Sequence, residues 1–159
     1  MSKINIEISN NQKVLTIDPR QLHQTVRLVL RRLDCNKALV SLAVVDNDTM
    51  GRLREKYLGN PELTDVLSFD LRDRTCAGDD KNTLDCEVVV NAERARQVAR
   101  AHNADPLAEL NLYVVHGLLH QLGYDDRNLR QARIMHEKED QFLQELGFGK
   151  VYYQGDKKR

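Results

Sequence analysis

The chain has 159 residues, 41% hydrophobic and 30% charged, which fits one soluble globular domain with a core of its own. Lys+Arg and Asp+Glu number 24 each, so the net charge is zero. That balance excludes a whole-molecule pull on nucleic acid or anionic membrane and leaves such attraction to local patches. The opening "MSKINIEISNNQKVL" lacks a signal-peptide pattern, the apolar run "ALVSLAVV" is too short to cross a bilayer, and Cys35, Cys76 and Cys86 show no CxxC spacing. A cytoplasmic protein with reduced thiols and no membrane partner is expected.

In chain order, "KINIEIS" alternates Ile4, Ile6 and Ile8 and predicts a strand with one buried face. "KVLTI" is read as its partner or as a turn into the first helix. Asp18 as N-cap and Pro19 at the first helical position open a helix with Leu22, Val26, Val29, Leu30 and Leu33 on one side. "ALVSLAVVD" predicts a second strand. "NDTMGRLREKYLG" predicts a short helix with Met50, Leu53 and Tyr57 inward. "TDVLSFDL" and "LDCEVVVN" read as strands on either side of a polar loop, "RDRTCAGDDKNT". Three helices follow: "AERARQVARAHN", "DPLAELNLYVVHGLLHQLG" and "NLRQARIMHEKEDQFLQELG". With strands early and long helices late, the class is α+β, a mixed sheet of about four strands with packed helices. Residues 1–150 are expected to form the single domain and 151–159 a frayed polar tail.

The middle of these three helices carries "HGLLHQLGYDD", residues 116–126. At 100° per residue, His120 falls about 40°, Glu109 about 20° and Tyr113 about 60° from His116, a single polar stripe. Leucines and valines fill the opposite arc, so the helix is mostly buried and its stripe faces a pocket or solvent. Imidazoles four residues apart can aim at one ion. HxxxH alone is a weak signal and often fortuitous. Here Gly123 can end the helix in the left-handed conformation, and Asp126 can then return to the same ion. The skeleton matches the H-E-x-x-H-x-x-G-x-x-H metalloprotease pattern, except that glycine, Gly117, replaces the general-base glutamate and Asp126 replaces the third histidine. A bound water would be activated by the metal alone or by a base elsewhere, for which Glu87, Glu109, Asp65 and Asp125 are the candidate acids. His23 and His102 read as surface or helix-end residues, and His136 as a solvated residue beside several acids, with a remote supporting role as the second option.

These residues resemble the YbeY family of endoribonucleases, whose hallmark H-G-x-L-H-L-x-G-Y-D-H is met by His116, Gly117, Leu119, His120, Gly123, Tyr124 and Asp125. "YLGNPELTDVLSF" resembles a second family segment. "CEVVVNAERA" resembles a third, and Met135, Glu139, Leu143, Leu146 and Gly147 fit a closing pattern. The resemblance runs over roughly residues 40–147 in family order. It implies a compact α+β domain holding one metal ion, usually zinc, and cleavage of single-stranded RNA. Precursor small-subunit rRNA is the implied substrate, in rRNA maturation and ribosome quality control. Association with ribosomes or assembly factors is implied too, with no DNA specificity.

Three departures bear on activity. Asp126 stands for the family's third histidine; a carboxylate binds zinc but lowers the site's net charge and makes the ion a weaker Lewis acid. Leu58 stands for an arginine, and Arg54, one turn earlier, is the nearest replacement. Leu63 stands for a proline. The predicted metal ligands are therefore His116, His120 and Asp126, and the catalytic candidates are Arg54 and Asp125. Arginine clusters (Arg96 with Arg100, Arg52 with Arg54 and Lys56, Arg127 with Arg130 and Arg133) could meet phosphates or could be ordinary solvated faces. Aromatic residues for base stacking are few, with Tyr124 beside the site. The rival readings are a non-enzymatic ribosome-assembly factor with the same fold and a zincin-like protease, against which Gly117 argues.

Overall fold

A computed structural model describes residues 3–72, 83–149 and 151. The elements are β1 (Lys3–Asn10), α1 (Pro19–Arg32), β2 (Lys37–Val45), α2 (Asn47–Leu58), β3 (Val66–Asp70), β4 (Thr83–Asn91), α3 (Ala92–Ala101), α4 (Pro106–Gln121) and α5 (Leu129–Glu145). The strands form one mixed sheet in the order β1-β2-β4-β3. β1, β2 and β4 run parallel, and β3 pairs antiparallel with β4 at the edge. "KVLTI" forms no strand. It is a bend, tied down by the half-turn that Gln12 makes with the backbone of Leu15. The expected loop "RDRTCAGDDKNT" falls largely on residues 73–82, and with Cys76 it lies outside the described residues.

Caps fix the helix starts. Asp18, Asp46, Asn91, Asp105 and Asn128 each accept a hydrogen bond from a first-turn amide, satisfying a donor that the helix itself leaves open. Alternation along the strands then sorts the side chains. Val40, Leu42, Leu84, Cys86, Val88 and Val90 enter the main core with Leu22, Val26, Val29 and Leu30 of α1 and the apolar residues of α4. The opposite face holds a smaller cluster, in which Met50 of α2 meets Val45, Leu67 and Val89. Tyr57 departs from its inward expectation. It is 55% exposed near the end of α2, its ring resting tilted against Phe69 at 5.3 Å. Cys35 and Cys86 are buried core residues, and burial pushes the Cys86 thiol up to about 12. Val151, the first residue of the expected tail, is buried in the main core; residues 152–159 lie outside the described residues.

α4 is the hub, touching α1, α3, α5, β3 and β4. One inner polar side chain ties it to α1: Asn111, fully buried, accepts from Thr25 at 2.6 Å and donates to Gln21 at 2.9 Å. Where α4 crosses the sheet, it approaches closely. A Cβ at Gly117 would lie 2.8 Å from Val88 Cγ1 and 3.1 Å from Val66 Cγ2. Both neighbours are β-branched side chains on strands, with little freedom to turn aside. Gly117 is therefore demanded by packing. Gly117→Ala is expected to destabilise the fold by about 1–3 kcal/mol through overpacking. The measurement is the midpoint of chemical denaturation, and an unchanged midpoint would contradict the close approach.

Candidate metal centre

The C-terminal end of α4 and the turn after it assemble the site. The helix stops at Leu122, and Gly123 takes φ +100°, a left-handed conformation that a side chain would strain. The amide of Gly123 donates to the His120 carbonyl at 3.2 Å and that of Tyr124 to the Leu119 carbonyl at 3.0 Å, the paired bonds of a Schellman stop. The half-buried Tyr124 packs against the core beneath. Asp125 shapes the next step: its carboxylate accepts from the amides of Asp126 at 2.7 Å and Arg127 at 3.2 Å, and from the Arg127 guanidinium. Partial burial opposes ionisation of Asp125, but these hydrogen bonds outweigh it and hold the carboxyl below the usual range.

This turn brings Asp126 back to the histidines. His116 Nε2 and His120 Nε2 stand 3.0 Å apart, and Asp126 Oδ2 is 3.8 Å from each. One ligand atom from each of the three residues lies within 4.8 Å of the others. Two imidazole nitrogens and a carboxylate oxygen bound at about 2.0–2.2 Å in tetrahedral fashion would sit roughly 3.3 Å apart. The donor set and its spacing therefore fit a divalent transition metal. Behind His116, Glu139 of α5 places Oε2 at 2.7 Å from Nδ1. Burial pushes the His116 pKa down, but the hydrogen bond and charge of Glu139, with lesser help from Asp126 and Asp65, hold it above its ordinary value.

The cleft over this centre has a volume of about 270 Å³. Its far wall is the entry to β3: Thr64, Asp65 and Ser68 present polar groups, with Val66 between them. That wall is pinned. Fully buried Asn91 donates to the Thr64 carbonyl at 3.2 Å and its amide donates to the Asp65 carbonyl at 2.9 Å. Ser68 accepts from Gln121 at 3.0 Å, which links the wall to the histidine helix. Asp65 also pairs with Arg94 of α3 at 3.3 Å, setting a half-exposed guanidinium beside the cleft.

The structure unites His116, His120 and Asp126 as expected, and leaves other candidates outside. Neither Arg54 nor Asp125 lines the cleft. Arg54 rides on α2, which packs on the face of the sheet opposite α4. Leu58 is exposed at the end of α2, and Leu63 in the loop beyond it. Of the four acids considered as bases, Asp65 lines the cleft. Glu109 shares the stripe on α4 but is fully buried two turns earlier, and Glu87 alternates out of the main core towards the opposite face. His102 caps α3, its Nδ1 3.0 Å from the Val98 carbonyl oxygen, and His23 borders a separate groove between β1 and α1. The residue of α5 that stands behind His116 is Glu139. The missed signal was an acid on the apolar stripe of the last helix, where Met135, Phe142 and Leu143 are buried.

A family model described as "Endoribonuclease YbeY" matches residues 7–147. Among curated proteins, an Endoribonuclease YbeY of Carboxydothermus hydrogenoformans is 35% identical over 144 residues, covering 89% of this chain and 96% of its own. Another, from Syntrophus aciditrophicus, is 33% identical over 140 residues, 87% of either chain. A solution structure of a Thermotoga maritima protein superposes with a TM-score of 0.63 at 21% identity, covering 97% of this chain and all of that one, a likeness of fold.

The raised pKa of His116 has a consequence for metal-free protein. A histidine raised in the fold stabilises it below its ordinary 6.5 and loses that contribution as pH rises through the higher folded value. Chelator-treated protein is expected to show a Tm that declines as pH rises from the ordinary histidine value through the raised one. His116→Gln should flatten that decline, and parallel slopes for the two proteins would contradict the account.

Proposed function

The chain belongs to the YbeY endoribonuclease family, and from that premise we propose that it is a metal-dependent hydrolase that cuts phosphodiester bonds in single-stranded RNA. The observation that carries this reading is the convergence of His116, His120 and Asp126 on one point at the floor of the cleft. These three residues would hold the ion, and a mixed imidazole and carboxylate set suits zinc among the divalent metals. When bound, such an ion supplies Lewis-acid stabilisation of charge on phosphoryl oxygens and acidifies water.

The chain's own groups do the rest. The wall of Thr64, Asp65 and Ser68 offers hydrogen bonds to a ribose or phosphate lying across the cleft. Asp65 is the carboxylate placed to accept a proton there, with Arg94 as its paired cation. Asp125 acts on Asp126 through the turn that it organises. Arg54, outside the cleft lining, can meet a phosphate only of RNA that continues past the site. Precursor small-subunit rRNA, handled in the cytoplasm with ribosomes or assembly factors, is the substrate class that family membership favours. The packing at Gly117 argues against a protease: a glutamate there would have to displace Val88 and Val66.

Exposed Leu58, where the family pattern carries arginine, keeps a second reading in view, an assembly factor that binds ribosomes without cutting. A labelled single-stranded RNA cleavage assay separates the two. Cleavage is expected to vanish with chelator, return with added zinc, and fall about 100-fold or more in His116→Ala. Asp126→His is expected to raise the rate by removing a negative charge from the site. Chelator-insensitive cleavage would overturn the metal reading. Absence of cleavage, with ribosome binding retained in His116→Ala, would establish the assembly factor instead.

A further inference from the structure

We infer that Glu139 is a positioning residue of the metal centre, holding His116 in the tautomer and orientation that present Nε2 to the ion. The inference rests on the metal reading of His116, His120 and Asp126 and adds to it a residue from a different helix, α5.

The location of Glu139 is the first observation. It lies on the buried stripe of α5 with Met135, Phe142 and Leu143, and is 1% exposed. A carboxylate there is expensive in free energy unless charge and hydrogen bonds compensate it. Its compensation is narrow. Oε2 stands 2.7 Å from His116 Nδ1, and Oε1 is buried with no hydrogen-bond partner among the described residues. A mere tie between α4 and α5 would be served better by an apolar pair, which leaves no orphaned polar atom. What the carboxylate adds is a fixed negative charge directly behind an imidazole whose other nitrogen points at the proposed ion.

The chemistry of the imidazole completes the argument. A neutral ring carries its proton on one nitrogen, and a partner that accepts from Nδ1–H leaves the Nε2 lone pair free to bind metal. Carboxylates behind metal-binding histidines fix the ring and raise its basicity, and their loss typically weakens metal binding about 10–100-fold. His120 has no such partner among the described residues. The two ligands are therefore unequal: His116, the more buried, is the anchored one.

Two variants separate positioning from packing. Glu139→Gln keeps an acceptor for Nδ1–H and removes the charge; Glu139→Leu removes both and fills the space. Zn²⁺ affinity, measured by competition with a chromophoric chelator, is expected to weaken about 10–100-fold in Glu139→Leu and less in Glu139→Gln. Nitrogen-15 NMR of the zinc-loaded protein should show His116 protonated at Nδ1 in wild type and in Glu139→Gln. In Glu139→Leu that Nδ1–H resonance should be lost or exchange-broadened. Should Glu139→Leu fail to fold cooperatively, Glu139→Gln decides, with an affinity at least about fivefold below wild type expected. Tight zinc binding by wild type, matched by each folded variant, would overturn this inference alone. No zinc binding by wild type would overturn the metal reading and this inference with it.

Discussion

The close approach of α4 to the sheet at Gly117 is the constraint on which the rest of the site depends. Val88 and Val66 occupy the space that a side chain would need, so the helix lies against β3 and β4 with its next residues committed in direction. His116 on one side of that contact and His120 one turn further must then face the entry of β3. The cleft is the gap between them and the Thr64–Ser68 wall. Buried Asn91 and the Gln121–Ser68 bond keep that gap from closing or shearing. Gly117, where the protease pattern carries a glutamate, thus sets how closely the histidine helix lies against the sheet.

Charge is the second organising feature. Two carboxylates, Asp126 in front and Glu139 behind, bracket His116 in a place with little water. The arrangement concentrates negative charge where the chain as a whole carries none. In the proposed reading a divalent cation held by His116, His120 and Asp126 would balance it, beside a cleft whose own wall adds Asp65. Arg94, paired with Asp65, sets a half-exposed cation beside the site, of the kind that an anionic RNA would meet. Asp126 is thus one of a local group of carboxylates, with Glu139 and Asp65, around His116.

Much of this was legible in the sequence because it rests on local rules. Caps such as Asp18 and Asp105, the alternation of β1, the stripe on α4 and the left-handed stop at Gly123 follow from nearest-neighbour chemistry, and the metal triad follows from them. What escaped needed three-dimensional neighbours. Glu139 reaches His116 across 23 residues of sequence, and its traces there, an acid on an apolar helical face and a place in the closing pattern, do not name its partner. Glu109 has the right angle on the helix but the wrong depth, since periodicity gives the direction of a side chain and not how far the neighbouring layers cover it. Tyr57 and Arg54 followed the same periodicity on α2. That helix packs over the other face of the sheet, where its last turn extends beyond the apolar cluster.

The central claim is that three side chains form one metal centre. Elemental analysis of purified protein after dialysis against metal-free buffer tests it most directly. The account predicts close to one zinc or similar divalent ion per wild-type chain, and essentially none in a folded His116→Ala variant. Wild-type protein that remains metal-free after exposure to zinc, or a variant that retains as much metal as wild type, would contradict it.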